Sequence, residues 1–204
     1  MDLSLYLVTD RTLCAVRNLT EVVMEAVRGG CTMVQLREKN CSTREFIRQA
    51  AALKQALRGT GVPLIINDRI DIALAVDADG VHIGQSDMPY AIARQLLGKD
   101  KIIGLSVESM ADIDLANTLD VDYIGISPIF STPTKHDTAK PFGIEGTIEA
   151  VKRSVHPCVA IGGIHKENLR KVLLTGVHGV AVVSEIMSAS DPYQAAKDLH
   201  AQLF

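Results

Sequence analysis

The chain has 204 residues, of which 47% are hydrophobic, and its formal net charge is -3. The 21 Lys and Arg residues nearly balance the 24 Asp and Glu residues, which excludes both the basic footprint of a nucleic-acid-binding protein and a polyacidic tail. Aromatic residues make up 4% of the sequence and Trp is absent, so a base-stacking platform is excluded as well.

The cysteines and the N-terminus indicate the compartment. Cys14, Cys31, Cys41 and Cys158 form no CxxC pair and lie at no zinc-finger spacing from a histidine, which is typical of idle thiols in a reducing compartment. The N-terminus lacks the basic region of a signal peptide, and no apolar run approaches the ~20 residues that cross a bilayer. We expect a soluble cytoplasmic protein that binds neither nucleic acid nor membrane, with its state as monomer or homo-oligomer left open.

Short apolar runs alternate with amphipathic segments along the whole chain. The runs predict strands at 5–8, 33–36, 63–66, 80–83, 102–106, 122–127, 158–161 and 179–184. The segments between them predict helices at 19–30, 42–59, 70–78, 87–98, 109–119, 146–155, 166–176 and 191–204. Strands that are apolar almost throughout are typical of parallel strands covered on both faces.

This strict alternation predicts an α/β protein with a single domain over residues 1–204. Eight βα units favour a closed (β/α)₈ TIM barrel over an open doubly wound sheet. The absence of a GxGxxG motif after the first strand also weakens the dinucleotide-binding alternative.

Unusual polar residues follow the predicted strands at the end where barrel enzymes carry their active sites. A random scatter of polar residues would not select one end of nearly every strand, so the pattern predicts a site there. The residues are Gln35, Arg37, Lys39, Asn67, Asp68, Gln85, Asp87, Ser106, Thr132, Thr134, Lys135, Gly163 and Ser184.

Two groups in this set have a functional and a structural interpretation. Arg37 and Lys39 lie on one side of their strand and suit a diphosphate, although an internal salt-bridge cluster with Glu38 or Asp68 explains them equally well. Asp68 and Asp87 follow adjacent strands and suggest Mg²⁺, which takes one or two carboxylates and completes its shell with phosphate and water. The alternative for both carboxylates is helix capping, for Asp87 of a helix that begins at Met88-Pro89.

Three loops and the histidines remain. The sequence STPTKHD (131–137) is either a solvated loop or a phosphate clamp, and AIGGI (160–164) with GVAVVSE (179–185) is either a pair of tight turns or a phosphate site made of backbone N–H groups. The loop 131–143 is the candidate lid. We expect His82 and His200 to be structural and His136 not to act as a general base.

Seven stretches, in this order, carry a resemblance to a known family. They are YLVTD (6–10), QLREK (35–39), IINDRIDIALAVDADGVHIGQSDMP (65–89), IIGLS (102–106), DYIGISPIFSTPTK (122–135), VAIGGI (159–164) and GVAVVSEI (179–186). Over essentially its whole length the chain resembles thiamine phosphate synthases.

The resemblance implies a transferase that joins hydroxymethylpyrimidine diphosphate to a thiazole phosphate, or its carboxylated form, with Mg²⁺. It implies a dissociative substitution, in which diphosphate leaves, a pyrimidine-methyl cation forms and the thiazole nitrogen attacks it. Positive charge on Arg37, Lys39 and Lys135 would stabilise the leaving diphosphate. The sites implied are Gln35, Leu36, Arg37, Glu38, Lys39, Asn67, Ser106 and Lys135 for the pyrimidine diphosphate; Thr132, Pro133, Thr134, Gly163, Val183 and Ser184 for the thiazole phosphate; and Asp68 and Asp87 for Mg²⁺.

The chain departs from the family pattern at three positions. Val107 and Glu108 follow Ser106 where a small residue and a histidine are frequent, and Arg69 follows Asp68 where an acidic residue is usual. We expect Glu108 in the first turn of the following helix, where a carboxylate is favoured. Two alternatives stay open: a thiazole tautomerase of the same fold, and a non-catalytic barrel that binds a phosphate ligand.

Overall fold

The computed structural model describes residues 1–14, 16–132 and 140–203, and within these ranges eight parallel strands close into a barrel. The strands pair in sequence order, and the last pairs with the first in register, Tyr6 opposite Ala181. They are β1 (Leu5–Val8), β2 (Met33–Leu36), β3 (Leu64–Asn67), β4 (Gly80–Ile83), β5 (Ile102–Val107), β6 (Tyr123–Ile126), β7 (Cys158–Ile161) and β8 (Gly179–Val182). The predicted (β/α)₈ fold is confirmed.

Helices connect the strands and cover the outside of the barrel. They are a 3₁₀ helix (Arg11–Cys14), α1 (Leu19–Arg28), α2 (Thr43–Ala56), α3 (Ile70–Ala75), α4 (Tyr90–Leu97), α5 (Met110–Ala116), α6 (Gly143–Arg153), α7 (Leu169–Leu173), α8 (Ser184–Met187) and α9 (Pro192–His200). Side-chain oxygens cap the N-termini of four of them and satisfy backbone N–H groups that have no partner inside the helix. These caps are Asn18, Ser42, Ser109 and Asp191.

The structure corrects two predicted boundaries that bear on the site. The last strand ends at Val182 instead of residue 184, because Ser184 begins the short helix α8, which the sequence analysis did not predict. Helix α6 begins at Gly143 instead of residue 146. A four-residue helix is too short to show an apolar periodicity, which explains why α8 was missed.

Alternate residues of each strand serve two separate cores. In β1, Tyr6 and Val8 belong to the cluster inside the barrel, whereas Leu5 and Leu7 belong to the larger cluster between the barrel and its helices. All four are 0 to 3% exposed. Because both faces of every strand are covered, each strand needs a nearly continuous apolar run. Burying one large apolar side chain completely stabilises the fold by ~1.5–3 kcal/mol.

The first and last parts of the chain meet at a tight seam. A Cβ added to Gly29, at the end of α1, would lie 2.4 Å from the carbonyl oxygen of Tyr193 and 2.7 Å from Cβ of Ala196, both on α9. A Cβ on Gly179 would lie 1.8 Å from the carbonyl oxygen of Leu3. Glycine at these two positions therefore lets α9 pack on α1 and β8 approach the chain just before β1.

Among the described residues no helix is long and apolar enough to cross a membrane. The four cysteines, all of them within the described ranges, are free.

Candidate active site

A cavity of about 770 Å³ opens among the residues that follow the strands. Its lining contains most of the polar residues that the sequence analysis selected for the diphosphate and the metal. They are Gln35, Arg37, Lys39, Asn67, Asp68, Asp87 and Ser106. The cavity also reaches into the barrel as far as Tyr6, His82 and Tyr123.

A smaller cavity of about 240 Å³ adjoins the first. Its lining brings together the described residues that were selected for the second phosphate: Thr132, Gly163, Val183 and Ser184. Both cavities are lined by Val8, Arg37, Ser127, Ile161 and Ala181. Two ligands placed in the two cavities would therefore be neighbours.

Arg37 stands at the junction of the two cavities. Its backbone N–H donates to Thr9 Oγ1 at 3.0 Å, which fixes the main chain just after β2. Over residues 1–14, 16–132 and 140–203 its guanidinium makes no hydrogen bond or ion pair, although the residue is half-buried. A half-buried, unpaired guanidinium is suited to an anion, since it offers a planar set of N–H donors.

Asp68 is held in an unusual conformation. Its φ is 61°, in the left-handed region that residues with a side chain rarely adopt. Its backbone N–H donates to the carbonyl oxygen of His82 at 2.9 Å, and its Oδ1 accepts from Asn67 Nδ2 at 2.7 Å. Its Oδ2 contacts Lys39 Nζ. The salt bridge that was the structural alternative for Lys39 is thus present, while Arg37 takes no part in it.

Asp87 faces Asp68 across the cavity rim. Its Oδ2 accepts from the backbone N–H of Gly84 at 2.7 Å, and its carboxyl group is within hydrogen-bonding reach of Asp68. Burial raises the pKa of Asp87, and the neighbouring Asp68 carboxylate raises it further. A cation between the two carboxyl groups would offset the repulsion that raises the pKa of Asp87.

The helix-capping alternative for these carboxylates is wrong. The residues at the N-cap positions of α3 and α4 are Arg69 and Pro89, and neither helix end is capped by a side chain. Asp87 instead closes a turn on Gly84.

The carboxylate pair fits Mg²⁺. No group of three or more His, Cys, Asp or Glu residues within the described ranges could enclose a metal by itself. Mg²⁺ does not need one, because it is commonly held by one or two carboxylates together with substrate phosphate and water. Asp68 and Asp87 supply hard oxygen ligands beside a cavity that carries Arg37 and Lys39.

The loop after β7 forms one wall of the smaller cavity and is held in place by Asn168. Gly163 has a φ of 64°, and an added Cβ would lie 2.8 Å from Cβ of Phe130, so a larger residue does not fit. Asn168 Nδ2 donates to the carbonyl oxygen of Gly163 at 2.8 Å, and Asn168 Oδ1 accepts from the backbone N–H of His165 at 2.8 Å. The His165 ring lies 3.0 Å from Glu185 in α8, which links this loop to the one after β8.

A buried chain of hydrogen bonds forms the floor of the larger cavity, and the sequence analysis missed it. Gln35 Nε2 donates to Tyr6 Oη at 2.8 Å, and Tyr6 Oη lies 2.9 Å from Tyr123 Oη. His82 bonds Tyr123 through Nδ1 at 3.0 Å and Ser106 Oγ through Nε2 at 2.8 Å. Burial raises the pKa of both tyrosines, so both stay protonated.

His82 was expected to be structural, yet it lines the cavity. The position of His82 in the barrel could have indicated this. His82 pairs in register with Gly104, and Gly104 with Tyr123, so all three face the interior at one level of the barrel.

Leu36 and Glu38 are not brought to either cavity as the described residues form them. They alternate with Gln35 and Arg37 and point to the other side of the strand and its extension. Leu36 is 0% exposed in the core beneath the helices. Glu38 Oε1 is buried without a hydrogen-bond partner among the described residues, and burial raises its pKa. The part of Leu36 and Glu38 in binding the pyrimidine diphosphate therefore stays a prediction, and it does not rest on side chains that line the described cavities.

Glu108 precedes the N-cap Ser109, so its predicted place in the first turn of α5 is wrong; its side chain lines the larger cavity instead. Pro133, Thr134, Lys135 and His136 lie outside the described residues, as does most of the candidate lid.

Comparison with known proteins identifies the family. A family model described as thiamine monophosphate synthase matches residues 5–186. The thiamine-phosphate synthase of Vibrio parahaemolyticus is 56% identical over 195 residues, covering 96% of this chain and 95% of the relative. That of Albidiferax ferrireducens is 55% identical over 194 residues, covering 95% of this chain and 89% of the relative.

Solved structures agree. Thiamine phosphate pyrophosphorylase from Pyrococcus furiosus superposes with a TM-score of 0.90 at 41% identity, covering 98% of this chain and 95% of that chain. A 3-hexulose-6-phosphate synthase, with a TM-score of 0.73 and 16% identity, shares the fold alone. The family model and the relatives each extend over nearly the whole barrel. The chain belongs to the thiamine monophosphate synthase family.

Proposed function

We propose that this chain is a thiamine-phosphate synthase: a transferase that joins hydroxymethylpyrimidine diphosphate to a thiazole phosphate, or its carboxylated form, and releases diphosphate. The family and the relatives support the activity. The structural observation that carries it is the position of Arg37 at the junction of the two cavities, with its guanidinium unpaired among the described residues, because a cation there would reduce the repulsion between two phosphorylated substrates.

The larger cavity suits the pyrimidine diphosphate. Its interior end offers the amide of Gln35 and the hydroxyl of Ser106, groups that hydrogen-bond a heteroaromatic ring. Its rim offers Asn67, Arg37 and Lys39, which suit the diphosphate. The volume of about 770 Å³ lies within the range of ordinary ligand sites.

The catalytic role of the cations is to stabilise the negative charge that develops on the leaving diphosphate. Arg37 and Lys39 line the cavity for this purpose, and Lys135 is proposed to join them from the loop after β6. Asp68 and Asp87 would hold Mg²⁺, which would further neutralise the charge of the leaving diphosphate. A dissociative substitution requires no strong protein base, because the thiazole nitrogen supplies the attacking electron pair.

The smaller cavity suits the phosphate of the thiazole. Thr132 and Ser184 offer hydroxyls, and Gly163 and Val183 bring main chain close to the ligand. Pro133 and Thr134 are proposed to complete this wall. Because the two cavities share Arg37 and Ser127, the bound substrates would meet without a further conformational search, which is a large part of the rate enhancement available to a two-substrate enzyme.

The test is formation of thiamine phosphate from both substrates with Mg²⁺. We expect product with the wild-type chain and a fall in kcat/KM of about 10²–10³ for Arg37→Ala, the range found when a group that stabilises developing negative charge is removed. Arg58→Ala is the matched control, because Arg58 is exposed and lines neither cavity, and we expect it to be unchanged.

Absence of product from the wild-type chain would contradict the proposal. Isomerisation of the thiazole without coupling would favour a tautomerase, and phosphate binding without either reaction would favour a non-catalytic barrel. We also propose a cytoplasmic location, which the four free cysteines support because disulfides are rare in reducing compartments.

A further inference from the structure

The hydrogen bonds beneath the larger cavity form one continuous line between two cavity residues. The line begins at Gln35 and ends at Ser106, both of which are proposed to contact the pyrimidine. Between them lie Tyr6, Tyr123 and His82, joined by contacts of 2.9 and 3.0 Å. Both tyrosines are at most 1% exposed and His82 is 9% exposed, so these bonds are largely shielded from bulk water.

The number of protons available determines which group donates in each hydrogen bond of this line. Gln35 donates to Tyr6, so the Tyr6 oxygen accepts and its own proton must go to Tyr123. If Tyr123 donated to Tyr6 instead, the Tyr6 proton would have no partner among the described residues, and a buried unpaired donor costs about 1–3 kcal/mol. Tyr123 then donates to Nδ1 of His82. With Nδ1 accepting, His82 carries its proton on Nε2 and donates it to Ser106.

We propose that Tyr6, Tyr123 and His82 are positioning residues that form a directional relay, which fixes the His82 proton on Nε2 and thereby makes the Ser106 hydroxyl a donor towards the larger cavity. Ser106 Oγ accepts from His82, so its own proton is available to the ligand. The atom bound there must be an acceptor, such as a ring nitrogen. This last step rests on the proposed function, whereas the direction of the relay does not.

Two tyrosine variants form a matched pair for testing the direction. Each of Tyr6→Phe and Tyr123→Phe removes one hydroxyl from a side chain that is at most 1% exposed. The relay predicts different outcomes, because only Tyr123 donates to His82. The measurement is the ¹⁵N NMR tautomer of His82 in the full-length, unliganded protein. We expect the Nε2–H form in the wild type and in Tyr6→Phe, and a mixture containing Nδ1–H in Tyr123→Phe.

A kinetic arm tests the consequence for the substrate. We expect Tyr123→Phe to raise KM for the pyrimidine diphosphate about tenfold, the effect of losing about one hydrogen bond, and to leave KM for the thiazole phosphate unchanged. Because Tyr123 acts through Ser106, the double variant with Ser106→Ala should be no worse than Ser106→Ala alone. A purely structural effect would instead add to that of Ser106→Ala.

Three results would overturn the proposal: Nδ1–H in the wild type, equal tautomer changes in the two Phe variants, or additive effects on KM. Failure of the wild-type chain to make thiamine phosphate would contradict the proposed function but leave the NMR arm decisive for the relay.

Discussion

The backbone of Asp68 is in an unfavourable conformation, and its side chain has several partners. The left-handed conformation costs ~1–2 kcal/mol for a residue with a Cβ, although Asp and Asn tolerate it better than most. In return, the turn orients one carboxylate oxygen towards Asn67 and the other towards Lys39. Such a conformation persists where the surroundings determine it, which is common at functional sites.

We predict that Asp68→Asn abolishes the stimulation of coupling by Mg²⁺ and lowers kcat by at least about 100-fold, because a hard anionic ligand is lost. The free energy of unfolding should change by less than about 1 kcal/mol, since Asn accepts the same φ and the Lys39 side chain that pairs with Asp68 is 50% exposed. Mg²⁺ titration of the rate and urea unfolding measure the two effects.

Asp71→Asn is the control for Asp68→Asn. Asp71 lies three positions after Asp68, is exposed, pairs with Arg69 and lines neither cavity. If Asp68→Asn keeps its full response to Mg²⁺, the metal assignment is wrong.

Asn168 is predicted to act on the thiazole phosphate without touching it. Asn168→Ala removes the two hydrogen bonds that hold Gly163 and His165, so the loop loses its fixed shape. We expect KM for the thiazole phosphate to rise about tenfold while kcat stays within about twofold, as measured by steady-state kinetics with the other substrate saturating.

Asn117→Ala is its matched control. Asn117 likewise bridges two backbone groups, the carbonyl of Arg153 and the N–H of Val155, but at the opposite end of the barrel. It should lose a similar amount of stability with KM unchanged. A parallel rise of KM in both variants would mean that Asn168 serves stability alone.

Within the strands, one close contact connects the backbone of β5 to the floor of the cavity. A Cβ on Gly104 would lie 2.1 Å from Cζ of Tyr123 and 2.4 Å from its hydroxyl oxygen. The tyrosine ring therefore occupies the space that a side chain on the neighbouring strand would need. Glycine at this position is a packing requirement, and its φ is not in the left-handed region.

We predict that Gly104→Ala destabilises the protein by about 1–3 kcal/mol, the usual cost of overpacking, and raises KM for the pyrimidine diphosphate by displacing Tyr123. Gly146→Ala is the control of opposite sign: it lies within α6 with its nearest neighbour at 3.4 Å and should stabilise by ~0.5–1 kcal/mol. Urea unfolding of both variants measures the two changes in the free energy of unfolding. A neutral Gly104→Ala would show that the ring can move freely.

The strands were predictable because a parallel barrel demands apolar residues on both faces, which leaves runs such as Ile102–Val107 visible in the sequence. The rim residues were predictable because the strands point one way. Leu36 and Glu38 alternate with Gln35 and Arg37, and this alternation already indicated that the side chains of Leu36 and Glu38 face away from the cavity. The resemblance to the family had nevertheless placed them in the site. The role of His82 was not predictable, because it depends on the register of three strands.

For the molecule as a whole, closure depends on contacts between the two ends of the chain. β8 pairs with β1, and α9 packs against α1. Since a closed barrel has no edge strand, no local part of it can be lost without exposing neighbouring strands. We expect the barrel to unfold as one unit.

We predict that Leu199→Ala, in α9, lowers the free energy of unfolding of the whole barrel by about 2–5 kcal/mol, because Leu199 is 1% exposed and its removal leaves a cavity. Far-UV circular dichroism and tyrosine fluorescence should still give coincident transitions; Trp is absent, so tyrosine reports the core. Leu174→Ala, 85% exposed, is the control. Two separate transitions in Leu199→Ala would contradict closure as a cooperative event.

The larger cavity reaches into the barrel, where interior side chains such as Tyr6 and Tyr123 line it. Under the proposed function, the pyrimidine ring would fill this inner end of the cavity and pack above Tyr6 and Tyr123. The substrate would then be a removable part of the hydrophobic core. Without its substrate the barrel is in this sense incompletely packed. The melting temperature of the protein should therefore rise with the concentration of the pyrimidine diphosphate, because the ligand binds the folded state.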